Sequence, residues 1–293
     1  MRSFLFVPAD SDKKLGKGLT SGADALIVDL EDSVALERKA AARAPAAAFV
    51  TTTRQQATRP RLYVRINPLD GPFWRDDVAA IIAARPDGLV LPKPAGGGDV
   101  ARLAAVLDEA ERTAGLVLGT TKIIAIATEV PQSVLAMQTY IGASPRLEVV
   151  TWGAEDISAV LGAAATREAD GRTWTSPYAL IRNLTLFAAV AADAQPVDTV
   201  YVNFRDTEGL RLEAETAARD GFTGKMAIHP DQVAIINAAF TPSAADVAWA
   251  RDVLALFAAN PSAGTLSHKG QMVDKPHMTR AQRILARAGQ SAT

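Results

Sequence analysis

Eight short apolar runs rich in β-branched residues recur along this chain and alternate with longer, alanine-rich segments of helical period. The runs fall at 3–7, 25–29, 62–66, 88–91, 123–127, 148–152, 199–203 and 225–228. The helical segments between them include 39–49, 76–84, 100–113, 132–141, 178–192 and 210–220. A strand that is apolar on both faces must be covered on both, as happens in a parallel sheet whose crossovers are helices. Eight such units in a row predict a closed (β/α)8 barrel, with an open doubly wound sheet as the alternative. The barrel takes up residues 1–240, and 241–293 reads as a C-terminal helical extension. In that extension a helix over 242–259 precedes a Gly/Ser/His-containing connection over 260–275 and a last helix over 278–288. The segment 163–176 is long for a βα connection and is expected to lie over one barrel mouth as an insertion.

Lysines and arginines (31) nearly balance aspartates and glutamates (32), and they form no basic stripe, which argues against a nucleic-acid partner. Cysteine is absent, so disulfides, thiolate nucleophiles and Cys-bound zinc are excluded, and any metal must be held by oxygen or imidazole. The first apolar run meets Pro8 and Asp10 at once and is too short for a signal peptide, and no later stretch reads as long enough to span a membrane. The expectation is a cytoplasmic protein without a membrane partner.

In a parallel barrel the C-terminal ends of the strands converge on one mouth, which is where chemistry collects. Six of the eight runs lead there into an ionisable group: Asp29-Leu30-Glu31-Asp32, Arg65, Lys93, Glu129, Asp156 and His229. Glu129 and Asp156 follow adjacent strands, so their carboxylates can approach a common point and suit a hard cation such as Mg2+. The plainer alternative pairs Glu129 with Lys93 and makes Asp156 a helix cap. Arg65 offers a planar fork for a carboxylate or for an oxygen that gains enolate charge; otherwise it pairs with Asp29, Glu31 or Asp32. Those three acids raise one another's pKa unless a cation intervenes, which makes one of them a candidate acid or base, whereas Asp32-Ser33 alternatively only starts a helix. Lys93 lies between two prolines, and an acid-rich mouth opposes the lowered pKa a Schiff-base lysine needs, so an ion pair or a phosphate contact fits it better. Gly96-Gly97-Gly98 precedes a helix and offers a weak phosphate cradle without a P-loop pattern. His229 reads as a packed histidine, and His268 and His277 have no metal-ligand spacing.

The segments RSFLFVPAD at Arg2, GADALIVDLEDSV at Gly22, YVRIN at Tyr63, LPK at Leu91, ATE at Thr128, TWGAEDIS at Thr151 and GFTGKMAIHPDQV at Gly221 resemble the citrate lyase β-subunit family of the HpcH/HpaI aldolase superfamily, in order along nearly the whole chain. The resemblance implies a Mg2+-dependent TIM barrel, typically a homotrimer, that cleaves or forms 3-hydroxyacyl-CoA thioesters such as citryl-CoA or malyl-CoA. By the same resemblance Glu129 and Asp156 are the metal ligands, with Glu129 also facing the substrate, and Arg65 steadies the substrate oxygen. Asp29, Glu31 and Asp32 form an acidic shell around metal-bound water. The tail GQMVDKPH makes Asp274 the acid/base, contributed to a neighbouring subunit's site. Lys93, Lys14 and Lys17 are candidate contacts to the acyl-CoA, with solvated helix charges as the alternative for the last two. Two positions depart from the family pattern: Ala9 stands where VPG is usual, and Val160 where many relatives carry a carboxylate. Competing functions on the same residues are a malyl-CoA thioesterase, an aldolase for free 2-oxo acids, and a silent subunit of a partner-dependent lyase.

Overall fold

The computed structural model describes residues 1–289, and the chain divides into two compact units, Met1–Asn237 and Ala238–Thr293. In the first, eight strands close a parallel barrel in sequential order: β1 (Ser3–Pro8), β2 (Ala25–Asp29), β3 (Arg61–Arg65), β4 (Gly88–Leu91), β5 (Lys122–Ile126), β6 (Leu147–Thr151), β7 (Gln195–Asp198) and β8 (Gly224–Ala227). Pairing of β1 with β8 completes the ring. The helices are α1 (Asp12–Leu19), α2 (Lys39–Arg54), α3 (Trp74–Ile82), α4 (Gly97–Thr113), α5 (Pro131–Leu135), α6 (Ala154–Leu161), α7 (Ser176–Ala191), α8 (Thr207–Asp220) and α9 (Asp231–Phe240). This is the TIM barrel that the alternation of apolar runs and helical segments predicts.

The barrel interior is filled by alternate side chains of the strands, among them Phe4, Ile27, Tyr63, Val90, Ile124 and Met226. Strand side chains alternate with period two, so the position two beyond an interior residue points inward again, one layer nearer the mouth. Asp29 follows Ile27 and Arg65 follows Tyr63 at that spacing, which is how two charged residues come to lie inside the barrel rim.

Four strands, β3, β5, β6 and β8, begin one residue earlier than the periodicity suggests. The seventh requires a larger correction: it is Gln195–Asp198, not 199–203. Pro196 reads as a strand breaker, yet buried long-range bonds set the register: Asp198 pairs in sequence register with Lys225, binds its ammonium at 2.9 Å and accepts from Trp152 Nε1 at 2.8 Å. The β-branched stretch 199–203 instead carries the chain out of the barrel. The expected helix 132–141 is also broken, into α5 and a single 3-10 turn, Met137–Tyr140. The buried hydroxyls of Ser133 and Tyr140 bond each other at 2.7 Å across the break.

The second unit consists of α10 (Ala244–Ala259), a hairpin of β9 (Thr265–His268) and β10 (Gln271–Asp274), and α11 (Lys275–Arg287), packed around Val253, Phe257, Val273, Ala281, Ile284 and Leu285. The hairpin replaces the expected irregular connection over 260–275. Lys269 and Gly270 turn it with φ of 50° and 80°, the mirror-image two-residue turn that matches strand twist. The stretch 231–259 proves long and apolar enough by composition to cross a membrane, contrary to the sequence reading. It is two helices, because Pro242 interrupts it and Ser243 and Asp246 form a reciprocal cap for α10.

Candidate metal site at the barrel mouth

The ends of β2 and β3 lock together first. Arg65 donates from Nε and Nη2 to the two oxygens of Asp29, at 2.7 Å each. Asp29 also accepts the backbone N–H groups of Glu31 at 2.9 Å and Ser33 at 3.1 Å, so its lone pairs are all engaged. Burial would raise the pKa of Asp29, but Arg65 outweighs it and holds the carboxyl below its ordinary value. This environment makes Asp29 an anchor for Arg65 and gives it no free lone pair for proton transfer. Arg65 Nη1 lies 2.8 Å from Glu31 Oε2 and 3.7 Å from Asp32, and the guanidinium sits over the Phe6 ring. The ion-pair alternative for Arg65 is thus realised with all three acids at once.

A second support was not legible as such in the sequence. Asp77 of α3, fully buried, accepts both the backbone N–H (2.9 Å) and Nδ2 (2.7 Å) of Asn67, and Asn67 Nδ2 reaches Leu30 O at 3.1 Å. Arg43 of α2 neutralises Asp77 at 2.8 Å. Asp77 reads as an ordinary first-turn helix acid, and only its burial reveals that it holds Asn67, which ties the carboxyl ends of β2 and β3 together.

Glu129 follows β5 and is buried. Gly153, just after β6, leaves room for it: a Cβ there would approach Glu129 Cγ to 3.0 Å. Thr128 Oγ1 accepts Gly153 N–H at 3.0 Å and joins the two strand ends that carry Glu129 and Asp156. Burial, and next the Asp156 carboxylate, push Glu129 up to about 8, so the pocket favours either a proton or an external cation on it. Asp156 is half-buried in the first turn of α6, whose N-cap is Gly153, so it is not the cap of that helix.

Lys93 stands among these carboxylates. Its ammonium contacts Glu31 closely and lies 3.2 Å from both Asp32 and Asp156, and its backbone N–H donates to Glu129 Oε2 at 2.6 Å. Burial would lower its pKa; the hydrogen bond and charge of Glu31 prevail and raise it, which is unfavourable for a Schiff-base nucleophile. The expected Glu129–Lys93 pair exists through the backbone. Among the described residues no group of three or more His, Asp or Glu side chains converges as a metal cluster. A cation here would rest on two carboxylates and draw its other ligands from substrate and water, as Mg2+ commonly does.

The remaining candidates have other surroundings. Lys14 and Lys17 are exposed on α1. Asp274 caps α11 in the second unit, with His277 Nδ1 2.6 Å from its Oδ1. His229 is half-buried: it stacks on Phe204, with ring centroids 4.7 Å apart, and its Nδ1 accepts the Asp231 N–H at 3.3 Å. The glycine run is a packing device: Gly97 N–H donates to Thr139 Oγ1 at 2.8 Å, and a Cβ on Gly97 would fall 1.9 Å from Thr139 O. The long segment after α6 is pinned. Trp174 packs edge-on against Trp152 at 4.9 Å, and Arg167, stacked on Trp174, pairs with Glu213 at 2.6 Å.

Comparison with known proteins bears directly on this arrangement. The model of the family HpcH/HpaI aldolase/citrate lyase matches residues 2–230. The citrate lyase subunit beta of Leuconostoc mesenteroides subsp. cremoris is 33% identical over 286 residues, covering 97% of this chain and 92% of that protein. The L-malyl-CoA/beta-methylmalyl-CoA lyase of Cereibacter sphaeroides is 32% identical over 305 residues, covering 98% and 94%. Among solved structures, CitE of Mycobacterium tuberculosis in complex with magnesium, acetoacetate and coenzyme A superposes with a TM-score of 0.78 at 32% identity, covering 99% of this chain and 98% of that one. With a family model spanning most of the chain, and relatives matched nearly end to end, the protein belongs to the HpcH/HpaI aldolase/citrate lyase family.

Proposed function

We propose that the protein is a Mg2+-dependent carbon–carbon lyase that cleaves or forms a 3-hydroxyacyl-CoA thioester of the citryl-CoA or malyl-CoA type, with acetyl-CoA and a 2-oxo acid on the other side. The observation that carries the reading is geometric: Glu129, buried after β5, and Asp156, at the start of α6 after β6, stand on strand ends joined by Thr128 and Gly153 and both contact Lys93. The relatives, a citrate lyase subunit beta and an L-malyl-CoA/beta-methylmalyl-CoA lyase, supply the substrate class.

In this reading Glu129 and Asp156 would hold Mg2+, which would supply Lewis acidity toward the substrate's oxygens. The protein's own residues do the rest. Arg65, immobilised by Asp29, presents its remaining N–H groups to the thioester oxygen, where negative charge grows as the carbon–carbon bond breaks. The hydroxyl loses its proton to the acidic shell of Glu31 and Asp32 through water. The bond electrons pass to the thioester α-carbon, and Asp274 returns a proton there to complete acetyl-CoA. In this reading Lys14 and Lys17, exposed on α1, meet CoA phosphates. Asp274 acts from a neighbouring copy in a homotrimer that works in the cytoplasm, with the C-terminal unit packing on that neighbour. Exposed Leu180, Phe187 and Val190, at helical spacing on α7, support burial of that face in an assembly.

Incubation of the purified protein with Mg2+ and malyl-CoA or citryl-CoA, with products followed by chromatography, tests the reading. Glyoxylate or oxaloacetate appearing with acetyl-CoA is the expected result. Malate or citrate with free CoA assigns a thioesterase instead, and no metal-dependent product removes both.

A further inference from the structure

Lys93 occupies a backbone conformation that its sequence context opposes. Its φ is 50°, in the left-handed region where a Cβ is costly. Pro94 follows it, and a residue before proline is driven toward extended backbone. Something must hold this conformation. The interactions present are the backbone N–H on Glu129 at 2.6 Å and the ammonium on Glu31, on Asp32 at 3.2 Å and on Asp156 at 3.2 Å. One residue therefore reaches both members of the carboxylate pair, Glu129 through its amide and Asp156 through its side chain, and ties them to the acidic shell after β2.

We propose that Lys93 is a resident counter-ion of the metal pair: its ammonium neutralises the mouth and bridges Asp156 to Glu31 and Asp32 in the metal-free protein, and it gives up Asp156 when a divalent cation binds. The proposal rests on the metal-site reading of Glu129 and Asp156. The reasoning is electrostatic. Five carboxylates, Asp29, Glu31, Asp32, Glu129 and Asp156, gather at this mouth; Arg65 is directed at Asp29 and Glu31, and Lys93 is the cation that contacts Asp156. A divalent ion bound to an Asp156 oxygen would lie within a few ångströms of an ammonium 3.2 Å from that carboxylate. Like charges at that range in a half-buried site repel strongly, so cation and ammonium compete for Asp156. A merely structural ion pair behaves otherwise: its removal loosens the mouth and weakens metal binding or leaves it unchanged. The sign of the change distinguishes the two roles.

The test is calorimetric titration of Mg2+ into metal-free wild type, Lys93→Met and Lys93→Gln, with melting temperature measured with and without Mg2+. The Gln variant keeps a hydrogen-bond donor toward Glu31 and is the second line should the Met variant fold poorly. We expect Mg2+ to bind at least tenfold more tightly to the neutral variants, with a lower metal-free Tm and a larger rise on adding Mg2+. Equal or weaker Mg2+ binding by both overturns the proposal. Glu129→Gln in the same titration separates the two levels: if it leaves wild-type affinity intact, or if the wild type binds no Mg2+, the metal pair itself is wrong and the role of Lys93 falls with it. If Glu129→Gln abolishes binding and the Lys93 variants bind no more tightly, only the counter-ion role is lost.

Discussion

Asp29 and Arg65 are register partners across the parallel pair β2 and β3, and their side chains close the same step with two charge-assisted bonds of 2.7 Å. Backbone pairing thus aims the guanidinium before any substrate arrives. A planar fork on a carboxylate has one orientation, so the N–H groups left over on Arg65 point in a fixed direction. The first prediction follows from that geometry. Arg65→Lys keeps the charge but loses the bidentate clamp, and kcat is expected to fall by about 100-fold or more, the range seen when one donor to a developing oxyanion is removed. Steady-state kinetics with circular dichroism as a fold control checks it, and a fall below tenfold with the fold intact would remove Arg65 from the transition state.

Asp274 lies in the second unit, and its proposed role requires a neighbouring copy. Asp274→Asn and Glu129→Gln should each abolish turnover when pure. Refolded or co-expressed together, they should recover a measurable fraction of activity, because some sites then combine an intact barrel with an intact tail. Mixtures as inactive as the parents would place both residues in the same chain's site or exclude Asp274.

The glycine run separates packing from ligand binding. Gly97→Ala places a Cβ 1.9 Å from a backbone oxygen and should cost about 1–3 kcal/mol or more through overpacking. Gly98 has nothing within 4 Å of its would-be Cβ, and alanine there should be neutral or stabilising by several tenths of a kcal/mol within α4. Denaturant midpoints for the two variants check the contrast. Equal destabilisation would contradict the packing role of Gly97.

Stability toward acid should depend on Glu111, which is fully buried and bonded to both terminal nitrogens of Arg146 (3.0 and 2.7 Å) and to the N–H groups of Gly119 and Thr121 (2.7 Å each). Burial alone would raise its pKa, but Arg146 and these donors outweigh it and hold the carboxyl at about 2 against 4.5. A depressed carboxylate stabilises the fold fully above its unfolded value. That contribution is lost as pH falls from about 4.5 to about 2. Glu111→Ala leaves Arg146 buried with less compensation and should cost about 3–5 kcal/mol at pH 7. The gap between variant and wild type should shrink on acidification, as urea denaturation across pH would show, and a pH-independent gap would contradict it.

The eight strands of a parallel sheet were legible in the chain, because a strand buried on both faces leaves a continuous apolar run that needs no partner to be recognised; their number favoured a barrel over an open sheet, and the pairing of β1 with β8 closed it. The sequence by itself also determined the set of polar residues at the mouth, since ionisable groups at strand ends can be read off the chain: Asp29, Glu31, Arg65, Lys93, Glu129 and Asp156 all lie at the C-terminal ends of their strands. Tertiary structure decided how those groups divide among themselves. Asp29 is committed to Arg65, Lys93 reaches Asp156 across the mouth, and Asp77 proves to be a buried anchor for Asn67 rather than a surface acid. It also decided the register of β7, where Pro196 is accommodated because Asp198 finds Lys225 and Trp152. The reason is the same in each case. Periodicity and burial are recorded locally, residue by residue, whereas the choice among several possible ion-pair partners depends on distances between segments far apart in the chain, which only the closed barrel fixes.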